Sequence, residues 1–396
     1  MSDRLLRVTT ERQMDENVTG GDCEPPTEGS GHPSIAGQVV LVLQGGGALG
    51  AYQAGVYQAL HDAGIEPDWV IGTSIGAVNG AIIAGNPREA RLEKLDAFWS
   101  RVAAAGGVTS GWLPTFDDWW RRASIFLQGI PAFFTPSPSA WWALNTPLGR
   151  EHAAFYSTQP LRETLHTLVD FDYLDTRDVR LTVGAVQVTD ARMRYFTNRD
   201  ERLTVEHVMA SAAFPPGFPS VQLDGESYWD GGIYSNTPLE AVLDDRPRRS
   251  SVIFAVQLWP ASGREPESIV EAMVRQRDIQ YSSRAQSHLE RQRQIHRLRH
   301  VIRELGQYVA EPMRDMQAVQ DLLAWGCGTT MQVIELDAPS FGDDDLHKDI
   351  DFSPDGIARR RAAGYEDTRR MLERAPWREA MDPMEGIAVH RAESGG

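Results

Sequence analysis

The sequence predicts an α/β fold built on a mostly parallel sheet, and three observations carry that prediction. The run Gln38-Val39-Val40-Leu41-Val42-Leu43 is apolar from its second residue on, as expected of a strand buried on both faces. A second short strand, Trp69-Val70-Ile71, follows a stretch in which Tyr52, Val56, Tyr57 and Leu60 recur at helical spacing. Each strand leads through a glycine-containing turn into a helix, and strand, helix, strand, helix in that order implies parallel pairing.

The elements follow in order. Residues 1–36 are polar, acidic and rich in glycine and proline, and read as a disordered tail. The first strand runs into the cluster Gly45-Gly46-Gly47 and a helix ending at Gly64. The second runs into the tight turn Gly72-Thr73-Ser74-Ile75-Gly76 and a helix of small residues through Ala84. Residues 108–150 form an aromatic-rich insertion, with Trp112, Trp119, Trp120, Trp141 and Trp142 among Phe116, Phe126, Phe133 and Phe134. A helix from Leu161 to Val169 and strands Arg180–Val188 and Ser251–Leu258 resume the α/β pattern. A helical hairpin is expected over residues 265–326, its long arm running from Glu267 to about Val309. Ile295, Leu298, Ile302, Leu305 and Val309 give that arm an apolar stripe, and Met313–Leu323 returns along it. A strand Met331–Leu336 and a helix Pro354–Leu372 rejoin the core. They close a domain over 37–375 and leave 376–396 as a C-terminal tail.

Composition narrows the partners. The 396 residues carry a formal net charge of -16, which argues against nucleic-acid binding, because that needs a basic surface to displace counterions. Only two cysteines occur, Cys23 and Cys327, and Cys23 falls in the tail. No structural disulfide is expected, and a reducing compartment fits. Neither cysteine has the neighbours that a metal site requires, so no metal is expected. The first twelve residues lack an apolar core, so no secretory signal is read there. The longest apolar run is far too short to span a bilayer. A cytoplasmic protein is expected.

Two motifs carry chemistry. Gly45-Gly46-Gly47-Ala48-Leu49-Gly50 satisfies G-x-G-x-x-G between a strand and a helix, the setting of a dinucleotide site. Such a site needs an acidic residue at the far end of the second strand to hold the ribose. Here Glu66 and Asp68 precede that strand, at the wrong edge of the sheet, and its far end carries Gly72-Thr73-Ser74. Gly72-Thr73-Ser74-Ile75-Gly76 instead fits G-x-S-x-G in a strand, turn, helix setting, which raises a serine at a helix N-terminus. The glycine cluster then has a natural use, since residues without side chains let backbone amides face a developing oxyanion. A serine hydroxyl also needs a base. Asp230, in Trp229-Asp230-Gly231-Gly232, would alone be a turn residue; beside the other two motifs it becomes a candidate. His207 and His347 are the alternatives, in a Ser-His-Asp arrangement.

With these pieces together, the sequence resembles the patatin-like phospholipase family. The resemblance runs through Gly45 to Gly50, Gly72 to Gly76, Ala210-Ser211-Ala212-Ala213-Phe214-Pro215-Pro216 and Asp230-Gly231-Gly232. It spans about residues 37 to 260, and the region to about 375 resembles a bacterial subgroup with an extra C-terminal helical region. The resemblance implies a three-layer α/β/α patatin-like fold with a mostly parallel central sheet and an added helical region. It implies a serine acyl-ester hydrolase of phospholipase A or lysophospholipase type, acting on lipid or acyl esters without a cofactor. Ser74 would be the nucleophile and Asp230 the base of a Ser-Asp dyad. Amides of Gly45, Gly46 and Gly47 would form the oxyanion hole, and Gly72 and Gly76 would shape the elbow. One departure is visible: many members carry an arginine in the glycine loop, where Ala48 and Leu49 stand here. An intracellular polyester or a short-chain ester would use the same dyad and remains an alternative.

Two further features read in more than one way. The aromatic insertion fits either packed core or a mobile cap lining an acyl-chain pocket, and its tryptophans also suit transient contact with a membrane surface. From Arg275 to Arg303 eight arginines face two acids, Asp278 and Glu290. That excess suits a solvated helix face, or attraction of anionic head groups or a partner. The apolar stripe beside it suits homo-oligomer formation.

Overall fold

Val39 to Leu43 must leave water on both faces, and each is essentially unexposed at the middle of the sheet. Burial of this kind contributes roughly 1.5–3 kcal/mol per large side chain. The structure, a computed structural model, describes residues 35, 37–106, 130, 133–137, 145–341, 348–382 and 384–391. The predicted disordered tail, Ile35 apart, lies outside the described residues. So do Trp112, Trp119, Trp120, Trp141, Trp142, Phe116 and Phe126 of the aromatic insertion.

The strands, in chain order, are β1 (Gln38–Leu43), β2 (Trp69–Gly72), β3 (Thr135–Pro136), β4 (Tyr156–Ser157), β5 (Arg180–Gln187) and β6 (Met193–Thr197). There follow β7 (Val221–Leu223), β8 (Glu226–Asp230), β9 (Ser251–Gln257), β10 (Met331–Asp337) and β11 (Ile387–Arg391). The main sheet runs β11-β10-β9-β1-β2-β5-β8-β7, with β6 also on β5; β3 and β4 pair separately. Pairing is parallel from β11 through β5, while β6, β7 and β8 join antiparallel. The sheet is therefore mostly parallel, as predicted.

Helices cover both faces. On one side Val39, Leu41 and Leu43 pack with α1 (Gly50–Asp62), α2 (Ile75–Ala84) and α3 (Arg88–Gly106). α4 (Gln159–Leu168), α5 (Phe171–Leu174) and α6 (Val205–Ser211) extend that layer. On the other side Val40 and Val42 meet α7 (Leu239–Leu243) and Leu289 of α8 (Ile269–Gln307). α9 (Glu311–Arg314) and α10 (Gln317–Leu323) follow α8, and α11 (Pro354–Arg374) returns to the first face. There the Tyr52 hydroxyl of α1 donates to Asp367 of α11 at 2.9 Å. α3 is tied to the entry of β2 by Arg91, which is buried and bonds Glu66 at 2.6 Å and Asp178 at 2.8 Å.

Several expectations need correction. Residues 387–391 are no tail: they form edge strand β11, with Ile387 buried and Arg391 hydrogen-bonded to Glu335 at 2.5 Å. Without them the outer edge of β10 would be left unpaired. The apolar stripe of α8 is not its buried face, since Leu298 and Leu305 are 62% and 60% exposed. The buried seam is mostly polar, with Gln292, His296 and His300 alongside Leu289. Its histidines are matched to backbone oxygens of Leu243 and Thr329 that a leucine could not satisfy. Finally, Cys327 is disulfide-bonded and no described cysteine is free; Cys23, the only other cysteine, lies outside the described residues. Such a bond removes the sequence-based reason for expecting a reducing compartment. Among the described residues no helix is long and apolar enough to cross a membrane.

Candidate active site

β2 ends at Gly72 and α2 begins at Ile75, so the chain must reverse within Thr73 and Ser74. Ser74 has φ 57° and ψ -126°, a region that side chains rarely adopt and that costs about 1–3 kcal/mol. The surroundings hold it there. Its N–H donates to the carbonyl and to the hydroxyl of Ser211, both at 3.1 Å, and the Ser211 hydroxyl donates to the Gly184 carbonyl at 2.7 Å. Close approach explains the flanking glycines. A methyl on Gly72 would lie 2.2 Å from the Gly76 carbonyl oxygen, and one on Gly76 the same distance from that of Leu43. The Ser74 side chain thus stands at the N-terminus of α2, where the helix dipole favours negative charge.

The sheet register brings Asp230 to the same place. Gly72 of β2 pairs with Val183 of β5, and Asp230 of β8 pairs with Ala185, two positions farther along. β6 occupies the other edge of β5 from Thr182 to Val186, so β2 and β8 share one edge and meet end to end. Asp230 is 1% exposed, and its Oδ1 accepts the Gly232 N–H at 2.7 Å. Burial pushes its carboxyl up to about 7, against the pull of the Ser74 hydroxyl and the Gly232 amide, which favour the carboxylate. Oδ2 has no partner of good hydrogen-bond geometry, so the Ser74 hydroxyl influences the carboxylate without closing a well-formed bond. Catalytic pairs are often loose before substrate arrives.

The glycine loop lies against the serine: a methyl on Gly45 would sit 2.9 Å from Ser74 Cβ. The Gly45 carbonyl accepts from the Trp259 indole at 2.7 Å and the Asn236 side chain at 3.0 Å, while the Gly45 N–H donates to the Asn236 carbonyl at 3.3 Å. Gly47 takes φ 55° as the loop turns into α1, a left-handed conformation that suits glycine. Among the described residues the amides of Gly46, Gly47 and Ile75 have no hydrogen-bond partner, and all three residues line the cavity in front of Ser74.

That cavity has a volume of about 360 Å³. One wall is aromatic, with Phe133, Phe134, Tyr156, Phe218 and Phe352 in mutual ring contact. The opposite wall carries Trp259, Tyr281 and the ion pair Arg277–Asp349, closed at 2.6 Å. Among the described residues of the aromatic insertion, Phe133 and Phe134 line the cavity. A carboxyl poised near neutrality, a half-buried alcohol and unpaired amides around an apolar slot suit nucleophilic acyl transfer.

The sequence pattern described as patatin-like phospholipase matches residues 41–243, just over half of the chain, and one described as patatin phospholipase matches 279–384. The chain belongs to the patatin-like phospholipase family. Among relatives of this patatin-like chain, the lysophospholipase NTE1 of Candida glabrata is 26% identical over 59% of the chain and 11% of its own length. Human patatin-like phospholipase domain-containing protein 6 is 36% identical over 22% of the chain and 6% of its own length. The chain thus spans about a tenth of the curated relatives it matches. Of solved structures, VipD from Legionella pneumophila aligns over 87% of this chain and 68% of its own, at 16% identity and a TM-score of 0.37.

Other residues weighed from the sequence of this patatin-like chain fall elsewhere. His207 is committed to the N-terminus of α6, where its Nδ1 accepts the Thr204 N–H at 3.0 Å and its ring meets Phe196 edge-on. Burial holds its pKa below the usual histidine value. His347 lies outside the described residues. Glu66 is taken up by Arg91 and His61, and Asp68 accepts the Val39 N–H at 2.8 Å, so neither carboxylate faces the glycine loop. Sequence reading missed Ser211, Asn236 and Trp259. The first two stood inside segments already singled out, and Trp259 directly follows the strand beside β1. Arg277 stood in the arginine-rich stretch read from the sequence, while nothing there pointed to Tyr281 or Asp349.

Proposed function

We propose that this protein is a lipid acyl-ester hydrolase in which Ser74 attacks the ester carbonyl and Asp230 takes its proton. Ser74 Oγ bonds to the carbonyl carbon as its proton passes to the Asp230 carboxylate. The oxyanion receives the free amides of Gly46 and Gly47, with Ile75 beside them, so Gly45 serves the loop through its carbonyl and not its N–H. Collapse breaks the ester C–O bond, and the alcohol leaves with the proton held by Asp230. Water then attacks the acyl-enzyme, giving its proton to the same carboxylate, and the acid is freed as the acyl–Oγ bond breaks and that proton returns to Ser74.

The observation that carries this reading is the buried Asp230 carboxyl, raised to about 7 and turned toward a serine held in a strained elbow. A base poised near neutrality both accepts and returns a proton efficiently. The aromatic wall favours an acyl chain as the group bound there, and the relatives' printed names point the same way. A fluorophosphonate probe should label the wild type and leave Ser74→Ala unlabelled. A panel of phospholipids, lysophospholipids and short-chain esters, with products identified by mass, should show long acyl chains turned over fastest. Labelling that persists in Ser74→Ala would refute the nucleophile, and a preference for short-chain esters would favour the esterase alternative.

A further inference from the structure

The glycine loop has a mechanical problem. Gly45, Gly46 and Gly47 have no side chains to fix them, and glycine accepts both signs of φ. A flip of the Gly45–Gly46 peptide would replace a donor facing the site with a carbonyl oxygen, which would repel the developing oxyanion. In a trans peptide the C=O and the next N–H point in opposite directions, so holding one aims the other.

We propose that Trp259 and Asn236 are positioning residues that hold the Gly45 carbonyl and so aim the Gly46 amide at the carbonyl under attack. The inference rests on the assignment of Ser74 above. Two side-chain donors converge on that one oxygen, at 2.7 and 3.0 Å, and both residues are buried. Both donors line the cavity wall beside the loop, so the oxygen is held by the wall and does not turn into the site. Asn236 grips from both ends, since its own carbonyl accepts the Gly45 N–H. It sits six residues past Asp230, so one loop supplies both the base and a support for the oxyanion.

Trp259 is held in turn by residues beyond the segment 41–243. The ring of Tyr281 on α8 lies 4.9 Å from its own, and the Lys348 ammonium stands 5.5 Å from the indole centroid. Lys348 is fixed by a buried ion pair with Asp278 at 2.9 Å. The added helical region is therefore a buttress of the oxyanion loop, and its contribution reaches the reaction through the Trp259 indole.

The test uses the full chain and two variants. Trp259→Phe removes the indole donor while keeping a ring against Tyr281, and Asn236→Ala removes the other donor. Each should lower kcat for an acyl ester by about tenfold to a hundredfold, less than the loss of an oxyanion donor itself, with KM within about twofold. Labelling of Ser74 by a fluorophosphonate should slow in parallel. Binding of a trifluoromethyl ketone, which forms a tetrahedral adduct, should weaken by the same factor as kcat, while binding of a long-chain alcohol should shift by no more than about twofold, the small change that altering a wall residue allows. A purely structural role would weaken both ligands. Unchanged kcat in both variants, or equal weakening of ketone and alcohol, would overturn the inference. If Trp259→Phe melts below the assay temperature, Asn236→Ala decides alone. A wild type that the fluorophosphonate fails to label at Ser74 would overturn the proposed function together with this inference, whereas labelled wild type with unaffected variants sinks only the latter.

Discussion

Replacing Asp230 with asparagine should abolish ester turnover and, above neutral pH, make the protein more stable. Burial lifts this carboxyl from 3.8 to about 7. In the unfolded chain the group loses its proton near the lower value. Between the two values the folded state holds more protons than the unfolded state, so stability falls as pH rises. Roughly three units at about 1.36 kcal/mol each put the full cost of the folded carboxylate at about 4 kcal/mol. About 1.5 kcal/mol of that is already present at about pH 5, which leaves about 2.5 kcal/mol to develop by about pH 8. Asparagine avoids this cost, and its amide oxygen can still accept the Gly232 N–H that Oδ1 accepts at 2.7 Å. Urea melts of both proteins across that range, followed by tryptophan fluorescence, read the gap directly. Taking its change with pH cancels any constant effect of the new side chain. The wild type should also gain activity through about pH 7 as the base ionises. A gap that stays flat with pH, or an asparagine variant that still turns over ester, would refute the reasoning.

Three further outcomes are expected. Gly72→Ala should destabilise the fold by about 3 kcal/mol or more in a urea melt, because its methyl would meet the Gly76 carbonyl oxygen at 2.2 Å, a backbone clash that only distortion relieves. His207→Ala should keep turnover within about threefold while losing about 1 kcal/mol of stability with the α6 cap; loss of turnover without loss of stability would restore a histidine base. Phe218→Ala, which opens the aromatic wall beside Phe133, Phe134 and Tyr156, should change the ratio of long-chain to short-chain kcat/KM by about tenfold, measured on a homologous ester series.

What the sequence made legible was local. β1, β2 and the turns after them could be read because a doubly buried strand is apolar throughout and a tight elbow needs glycine, and both signals fit within a few residues. The antiparallel flank was missed although part of its signal was present. Asp224-Gly225 joins β7 to β8 with φ 52° and 86°, the backbone of a two-residue hairpin turn that an Asp-Gly pair suits. β11 was missed because Ile387 to Arg391 is a five-residue strand close to the chain end, with only two larger apolar side chains, Ile387 and Val389. The long arm of α8 was read as a helix, but its stripe suggested the wrong face, since the side it buries meets carbonyl oxygens with histidine and the Asp244 carboxylate with Gln292. Ser74 and Asp230 could be nominated from their motifs. Trp259, Tyr281 and Lys348 could not, because their use depends on how α8 crosses the end of the sheet.

The proposed pairing of a serine with a carboxylate, without an intervening imidazole, follows from strand lengths. β2 stops after four residues while β5 runs for eight, so the edge of β5 is vacant beyond Val183. β8 fills that vacancy from the opposite direction, and its last residue is Asp230. The two strands end one residue apart on that edge, with only Gly184 between them, and the positions opposite Val183 and Ala185 are separated by roughly 7 Å. Two short side chains reach across such a gap directly, whereas an imidazole between them would have to push the strands apart. Beside this gap the Ser211 hydroxyl donates to the Gly184 carbonyl at 2.7 Å while accepting the Ser74 N–H. One hydroxyl thus ties the middle of β5 to the elbow that the gap makes room for.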